Sequence, residues 1–276
     1  MHIVCCLKQV PDTAEVRIDP ETNTLIREGV ESILNPYDRV ALELAVQIQE
    51  MHGGSVDAIC MGPPQAGGML REAVAMGADR AILLSDRSFA GADTLATSYT
   101  LAQCIRILDR SDPVQLVLCG KQAIDGDTAQ TGPGIATRLG YTQFTFVSRI
   151  DKLEPGEQAI TVMRKVDQGQ EKLRGALPAL VTVELESAKP RRSSLPLMLR
   201  SLEAEIEVWN GESIEAETSL LGIKGSPTWV RSIGSPPAKE SGPRFEASQG
   251  LEEAVSQALE VLFQDQSLAL DGVTHQ

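Results

Sequence analysis

Residues 114–133 read Val-Gln-Leu-Val-Leu-Cys-Gly-Lys-Gln-Ala-Ile-Asp-Gly-Asp-Thr-Ala-Gln-Thr-Gly-Pro, and they carry the clearest indication of the fold class. Its first five residues form a short, mostly apolar run, which is typical of a parallel β-strand buried on both faces. A loop rich in glycine and aspartate follows, and a helix is predicted over residues 133–139. A strand, a glycine-rich loop and a helix N-terminus in this order offer free backbone N–H groups and a positive dipole end to an anion.

The glycines of this loop, Gly120, Gly126 and Gly132, would let the backbone come close to a ligand. Asp127 and Gln130 have the spacing of a capping box for the following helix. Glycine and aspartate are also common in loops before helices, and neither GxGxxG nor GxxxxGK[ST] is present. The residues alone therefore indicate a candidate anion-binding loop and leave its ligand open.

Strands and helices alternate on both sides of this stretch. Residues 35–38 carry three helix-start signals, which are a capping asparagine, a proline at the first helical position and an acidic residue in the first turn. Further strands are predicted at residues 3–7, 56–61 and 81–84, and further helices at residues 70–75 and 94–108. This order predicts an α/β fold with an open, mostly parallel, doubly wound sheet that binds ligands at the carboxyl ends of its strands.

Two regions depart from this alternation. A hairpin is predicted from residues 16–18 and 24–26, and runs at 145–147, 160–162 and 180–185 predict a few added antiparallel strands that finish the sheet. Beyond Glu186, prolines interrupt every periodic segment until an amphipathic helix over residues 251–263, which needs a surface to lie on. We therefore expect a nucleotide-binding α/β domain at residues 1–186 and an extended C-terminal arm, packed on a partner chain, at residues 187–276.

Composition narrows the functional classes. The 25 basic and 38 acidic residues give a net charge of −13, which argues against nucleic acid as a partner. No CxxC pair is present and only three histidines occur, so no metal site is expected, and the cysteines read as buried thiols of a cytoplasmic protein. No signal sequence or membrane span is predicted. No catalytic triad or acid–base pair is visible either.

Several motifs together resemble the electron transfer flavoprotein beta-subunit family. Besides the loop, they are Lys8-Gln9-Val10-Pro11-Asp12, Asn35-Pro36-Tyr37-Asp38, Met76-Gly77-Ala78-Asp79 and Leu177-Pro178-Ala179-Leu180-Val181-Thr182, and the likeness runs to about residue 235. The resemblance implies an adenine nucleotide alpha hydrolase-like fold and an obligate heterodimer with an alpha subunit. It also implies a carrier that oxidises NADH only within a larger complex, so whether the chain counts as an enzyme stays open.

The resemblance assigns a ligand to the loop. In that family the matching positions hold an adenine nucleotide. The implied contacts in this chain are Gly120, Lys121, Gln122, Ala123, Ile124, Asp125, Gly126, Asp127, Thr128, Ala129, Gln130 and Thr131, helped by Cys6, Asn35, Pro36, Tyr37, Asp38 and Met61.

The family has two branches, one holding AMP as a structural group and the other, electron-bifurcating, holding FAD and taking a hydride from NADH. The small residues between Asp125 and Gln130 resemble the second branch, so FAD is expected, with AMP as the alternative. Three residues at a helix start could hydrogen-bond the pyrophosphate or the flavin: Asp93, Thr94 and Thr97. Plain helix capping accounts equally well for Asp93 and Thr94.

Residues 189–202 match the family's recognition loop, with Leu195 at the position that docks into partner dehydrogenases. The lysines that follow this leucine in the AMP branch are missing, which places an acyl-CoA dehydrogenase partner in doubt. The resemblance instead implies a quinone-reducing flavoprotein as acceptor, with a dehydrogenase still open, together with ferredoxin or flavodoxin. A stand-alone nucleotide-binding sensor is a further hypothesis, since such proteins have a similar α/β domain.

Overall fold

The computed structural model describes residues 1–12, 17–18, 25–26, 32–229, 242–246 and 250–264, with the backbone alone at 17–18, 25–26 and 264. The chain divides into two compact units, Met1–Ile233 and Gly234–Gln276. Helices α1 to α5 and the strands lie in the first unit, and helix α6 lies in the second. The helices are α1 (Pro36–His52), α2 (Gly67–Met76), α3 (Thr94–Ser111), α4 (Thr131–Leu139), α5 (Leu195–Glu203) and α6 (Leu251–Gln264).

The strands build a nine-stranded sheet and two short antiparallel pairs. They are β1 (His2–Leu7), β2 (Gln9–Pro11), β3 (Arg17–Ile18), β4 (Leu25–Ile26), β5 (Ser32–Leu34), β6 (Ser55–Met61), β7 (Arg80–Leu84), β8 (Val114–Gly120), β9 (Thr142–Glu154), β10 (Ala159–Val166), β11 (Gly169–Ala176), β12 (Ala179–Val183) and β13 (Glu207–Trp209). The order in the large sheet is β11-β10-β9-β12-β8-β1-β6-β7-β13.

From β9 to β13 all neighbours in the large sheet are parallel, while β10 and β11 continue it antiparallel. This confirms the predicted α/β class. One detail is corrected. The run at 180–185 was expected among the added antiparallel strands, but Ala179–Val183 is a parallel strand between β8 and β9. All five of its residues are buried, as a strand in the interior of a parallel sheet requires.

Helices cover both faces of the sheet. Alternate residues of β1 point to opposite faces, so Ile3 and Cys5 join the core under α1 and α2, while Val4 and Cys6 join the core under α3 and α4. The five cysteines are free and buried, as the sequence predicts. Burial raises the pKa of the Cys6 thiol well above its ordinary range. The doubly wound arrangement is therefore confirmed from the core outward.

Two predicted peripheral elements are present where the structure describes them. The hairpin appears as the antiparallel pairing of β3 with β4, and the remainder of the predicted hairpin segment lies outside the described residues. The amphipathic helix is α6. Among the residues that the structure describes, no helix combines the length and apolar character that a bilayer crossing demands.

The first part of the predicted C-terminal arm lies on this chain's own α/β unit. Strand β13 pairs with β7 and so adds the outermost parallel strand of the sheet, and α5 packs on α2. The compact unit Met1–Ile233 includes the first part of the predicted arm. The role of residues 187–276 as an arm on a partner chain stays a prediction.

A buried polar network joins the amino ends of four neighbouring strands. His2 Nε2 lies 3.2 Å from an Asp57 carboxylate oxygen, and His2 Nδ1 lies 2.8 Å from the Asp112 carbonyl oxygen. Arg80 is 3.8 Å from Asp57 and donates two hydrogen bonds to Glu207 of β13. Burial alone lowers the pKa of His2, but hydrogen bonds and attraction from Asp57 and Asp112 outweigh it, so the pKa is raised above 6.5.

This network makes stability depend on pH. Because the folded-state pKa of His2 is raised, its stabilisation is fully present below pH 6.5 and is lost as the pH rises through the folded-state value. Denaturant midpoints measured from about pH 5.5 to 8.5 are expected to fall with pH in the parent chain and less steeply in His2→Gln. The exposed His52 gives the matched control, since His52→Gln should keep the parent slope. Parallel profiles for His2→Gln and the parent would contradict the assignment.

Candidate nucleotide-binding site

The site lies where the order of strands reverses. From β1 the chain builds β6 and β7 on one side, and it then crosses to β8 on the other side, so β1 and β8 flank the switch point. Both strands run in the same direction, and their carboxyl ends, Leu7 and Gly120, therefore open on the same edge. Open α/β sheets bind ligands in this crevice. Residues 121–130 form the loop that leaves β8 beside it.

Asp38, in the first turn of α1, joins the ends of the two strands. One carboxylate oxygen accepts the Lys8 backbone N–H at 2.8 Å, and the other accepts the Gly120 backbone N–H at 3.0 Å. Burial raises the pKa of this carboxyl to about 7, although hydrogen bonds from Asn35, Gly120 and Lys8 favour the ionised form. Asp38 thus satisfies two strand-end donors at the bottom of the crevice.

Asn35 fixes the first half of the loop and does not cap α1. Its side-chain amide donates to the Gln122 carbonyl at 2.9 Å, and its side-chain oxygen accepts the Ile124 backbone N–H at 3.3 Å. No side-chain cap is made at the start of α1, so the predicted capping role is wrong. The proline at the first position and the acidic residue in the first turn, Pro36 and Asp38, are as predicted. Asn35 is fully buried, and its side chain bonds where the loop backbone needs partners.

Two charged side chains of the loop are paired with residues that follow the strands on either side of β8. Lys8 Nζ lies 2.6 and 2.8 Å from the two carboxylate oxygens of Asp125, so a residue beyond β1 holds the loop beyond β8. Lys121 Nζ lies 3.3 Å from a carboxylate oxygen of Glu184, just after β12. Lys8 was not predicted as a site residue, but its place directly after β1 at the switch point was the available signal.

The predicted capping box of α4 is not formed. Helix α4 begins at Thr131, and the preceding residue, Gln130, makes no side-chain cap. The Gln130 side-chain oxygen instead accepts a 2.9 Å hydrogen bond from the Thr94 hydroxyl, and the Asp127 carboxylate accepts from the Gln122 side chain. Without a side-chain cap, the first N–H groups of α4 stay available to an anion.

Two residues of the loop adopt the left-handed region that disfavours side chains with a Cβ. The φ angles of Asp127 and Ala129 are 51° and 53°. Each such residue costs of order 1–3 kcal/mol and persists only where the surroundings fix it, most often at ligand sites. The second half of the loop therefore has an imposed shape, which distinguishes it from an ordinary surface turn.

The three loop glycines have different roles. A Cβ on Gly120 would lie 2.5 Å from both the Asp38 carboxylate and the Tyr37 Cβ, and one on Gly132 would lie 2.5 Å from Thr182 Cγ2. These two positions therefore admit only glycine without movement of their neighbours. A Cβ on Gly126 would have no heavy atom of the described residues within 4 Å, so open space adjoins this position in the part of the chain that the structure describes.

The residues predicted on α3 and at the strand ends are placed as follows. The Asp93 carboxylate accepts the backbone N–H groups of Leu95 and Ala96 at 2.9 and 3.1 Å, so the capping alternative is what the structure shows. Its other oxygen accepts the Thr228 hydroxyl at 2.8 Å, a contact that the sequence gave no reason to expect. Thr97 lies partly buried one turn further along α3. At the strand ends, Cys6 is buried in β1, and Met61, the last residue of β6, is half-buried. Pro36 and Tyr37 are partly exposed in the first turn of α1. In the loop, Ala123 is partly exposed and Thr128 is exposed.

These observations define a doubly wound α/β protein with a glycine-rich loop at the switch point of its sheet, leading into the uncapped N-terminus of α4. The sequence model of the family described as "Electron transfer flavoprotein domain" matches residues 22–213. The chain belongs to the electron transfer flavoprotein family, as a beta subunit of the branch that contains the FixA proteins.

The relatives support this placement over most of the chain. It is 48% identical to Protein FixA of Sinorhizobium fredii over 244 residues, which is 87% of this chain and 85% of that protein. It is 47% identical to Electron transfer flavoprotein subunit beta of Clostridium acetobutylicum, covering 88% of this chain and 91% of that protein. It is 49% identical to Caffeyl-CoA reductase-Etf complex subunit CarD of Acetobacterium woodii, covering 88% and 90%.

The contacts of Gly120 generate a matched pair of substitutions. Gly120→Ala places a methyl group against Asp38 and Tyr37, and should lower the free energy of unfolding by roughly 1–3 kcal/mol. Gly126→Ala meets open space and should change it by less than about 1 kcal/mol. Denaturant unfolding of the two variants and the parent measures both effects. Equal stability of the two variants would show that the strand ends are not held as described.

Proposed function

We propose that this chain is the beta subunit of a heterodimeric electron transfer flavoprotein that binds FAD between its loop and the N-terminus of α4. It accepts electrons from NADH and passes them, by flavin-based electron bifurcation, to ferredoxin or flavodoxin and to a quinone-reducing flavoprotein. The observation that carries the proposal is the loop over residues 120–131, pinned at one half and open at Gly126. The Acetobacterium relative, named as a subunit of a reductase–Etf complex, supports a role within an assembly.

The residues of this chain fit a nucleotide diphosphate. The uncapped N–H groups at the start of α4, with the positive end of the helix dipole, suit phosphate oxygens. Asp125 is neutralised by Lys8, and the Asp127 carboxylate is engaged by Gln122, which reduces repulsion of an anionic ligand. The adenosine would occupy the crevice near Asn35, Tyr37 and Met61. A bound flavin supplies the redox chemistry, while the protein sets its position and surroundings.

A second candidate is a non-bifurcating subunit that holds AMP and carries electrons from acyl-CoA dehydrogenases to a quinone oxidoreductase. One observation favours it. The Asp93 carboxylate, a predicted contact of the larger cofactor, is already occupied by the α3 N-terminus and by Thr228. The Thr94 hydroxyl donates to Gln130, so FAD would have to replace that hydrogen bond, and Thr97 is the remaining predicted contact on α3.

Partner, location and docking follow from the same proposal. We assign an alpha subunit as obligate partner, with residues 187–276 contributing the arm that reaches it and Leu195 docking the acceptor. Leu195 is 68% exposed, as a docking side chain must be. The buried, unpaired thiols suit a reducing compartment, so we place the complex in the cytoplasm.

The cofactor content of the purified heterodimer tests the proposal directly. Two flavins per dimer, measured by absorbance after protein determination, are expected. One flavin together with one AMP, identified by chromatography of the released nucleotides, would select the second candidate. A dimer without any adenine nucleotide in this subunit would remove both.

The open space at Gly126 yields a discriminating substitution. Gly126→Leu fills the volume beside the loop, where an overpacking cost of about 1–3 kcal/mol would weaken FAD binding by roughly 5- to 150-fold. AMP, which is smaller, should be weakened much less. Gly156→Leu is the matched control, since Gly156 also faces open space but lies in the turn between β9 and β10. Titration of nucleotide-free heterodimers with FAD and with AMP gives the two dissociation constants for each variant and for the parent. An equal loss of affinity for FAD and AMP in Gly126→Leu would contradict the argument from open space.

A further inference from the structure

Helix α5 exposes four of its five large apolar side chains, unlike an ordinary surface helix. Its outward stripe is Leu195, Met198, Leu199 and Leu202, exposed by 68, 51, 56 and 73%. The less exposed side carries Leu197, which is partly buried, buried Ser201 and, directly after the helix, partly buried Ala204. A surface helix normally buries its apolar side and exposes its polar side. Some interaction must therefore hold α5 in this orientation.

Arg71 of α2 holds the carboxyl end of α5. Its Nη1 donates to the carbonyl oxygens of Ser201 at 2.9 Å, Ala204 at 2.8 Å and Leu202 at 3.3 Å. The last carbonyls of a helix have no partner within the helix, and no backbone cap is formed at Ala204. One guanidinium thus supplies the missing donors and fixes which side of α5 faces α2.

Arg200 of α5 makes the reverse contact. Its guanidinium donates to the carbonyl oxygens of Ala78 at 3.4 Å and Asp79 at 3.0 Å, directly after the end of α2. Each helix therefore lends an arginine to the carbonyls at the end of the other. Rolling α5 to bury its leucines would break both sets of hydrogen bonds, because both sets join α5 to α2 or to the turn after it.

The segment before α5 is tied down as well. The Arg191 guanidinium bonds Glu43 at 2.8 and 3.1 Å and Glu50 at 2.5 and 3.0 Å, and its backbone N–H also donates to Glu43. Glu43 is buried in α1, so this anchor is inside the α/β unit. Both ends of α5 are thereby attached to the chain's own helices.

We propose that Arg71 and Arg200 are positioning residues for partner docking, because they lock α5 with its apolar stripe outward and so present a preformed surface. The inference rests on the proposed function, in which Leu195 docks an acceptor flavoprotein. The apolar stripe of α5 would bind in an apolar pocket on that acceptor, and basic residues would surround the pocket. Exposed Glu203 and Glu205 at the end of the stripe, on a chain with a net charge of −13, supply the complementary charge. Preorganisation lowers the ordering cost of binding.

A nitroxide spin label on α5 measures how firmly Arg71 and Arg200 restrain this helix, and the measurement does not require the acceptor flavoprotein. The native cysteines are buried, so Met198→Cys offers an accessible thiol for labelling on the stripe of the intact heterodimer. The parent should give the broad spectrum of a restrained label, and Arg71→Gln and Arg200→Gln should add a narrow, mobile component. Arg39→Gln is the matched control, since Arg39 pairs with Glu72, next to Arg71 in α2. Unchanged spectra in both arginine variants would overturn the proposal.

Electron transfer to a purified quinone-reducing flavoprotein supplies the functional readout. Arg71→Gln should raise the half-saturating acceptor concentration roughly three- to tenfold, with the maximal rate and the reduction of a small dye unchanged. Arg71→Lys, which keeps part of the hydrogen bonding, should fall between. If Leu195→Ala leaves half-saturation unchanged, docking at α5 and this proposal both fall. If Leu195→Ala raises it and Arg71→Gln does not, only the positioning role falls.

Discussion

The buried carboxylate of Asp38 is the contact on which the site depends. It accepts hydrogen bonds from the Lys8 backbone N–H, directly after β1, and from the Gly120 backbone N–H, at the end of β8. These two strands flank the point where the order of strands reverses. A parallel sheet leaves donors at its strand ends, and a helix starting at Pro36 brings one side chain to two of them. The close approach of Gly120 to this carboxylate, and the path of the chain beyond it, follow from that single placement.

The loop beyond β8 has two mechanically different halves. Residues 120–125 are attached to the β1 side through Asp38, Asn35 and Lys8. Residues 126–130 have no such tie to the β1 side among the hydrogen bonds described. They are held by the Asp127 backbone N–H, which donates to the Ala123 carbonyl, and by the side chains of Gln122 and Thr94, and they contain the left-handed backbone positions. An anchored half beside a shaped, open half suits a ligand that is gripped at one end and extends past the loop at the other. This division links the fold to the proposed choice between a mononucleotide and a dinucleotide.

The sequence predicted the fold class because buried parallel strands and amphipathic helices leave strong periodic patterns, as at Ile3–Leu7 and along α1. It also located the loop, since glycine spacing after a strand is a local signal. The sequence-based predictions were wrong where a side chain had more than one possible hydrogen-bond partner. Asn35 and Asp127 both had capping spacing, but their partners lie across a crevice or across a turn, and local spacing cannot choose among such partners. The pairing of β13 with β7 was missed because three residues far along the chain carry no periodicity.

The two margins of the large sheet are protected from self-association by different means. At one edge of the sheet, β11 carries several charged side chains. Lys172 pairs with Asp151 of β9, and Arg174 pairs with Glu154 of β9 and with Glu157 in the turn after it. At the other edge, β13 is a strand of three residues, and its Glu207 accepts two hydrogen bonds from Arg80 of β7. A protein shortened at residue 186 would lose β13, expose the hydrogen-bonding groups of β7 and leave Arg80 with only the more distant Asp57 as counter-ion. The segment after residue 186 therefore completes the edge of the sheet in the α/β unit itself, before any partner is considered.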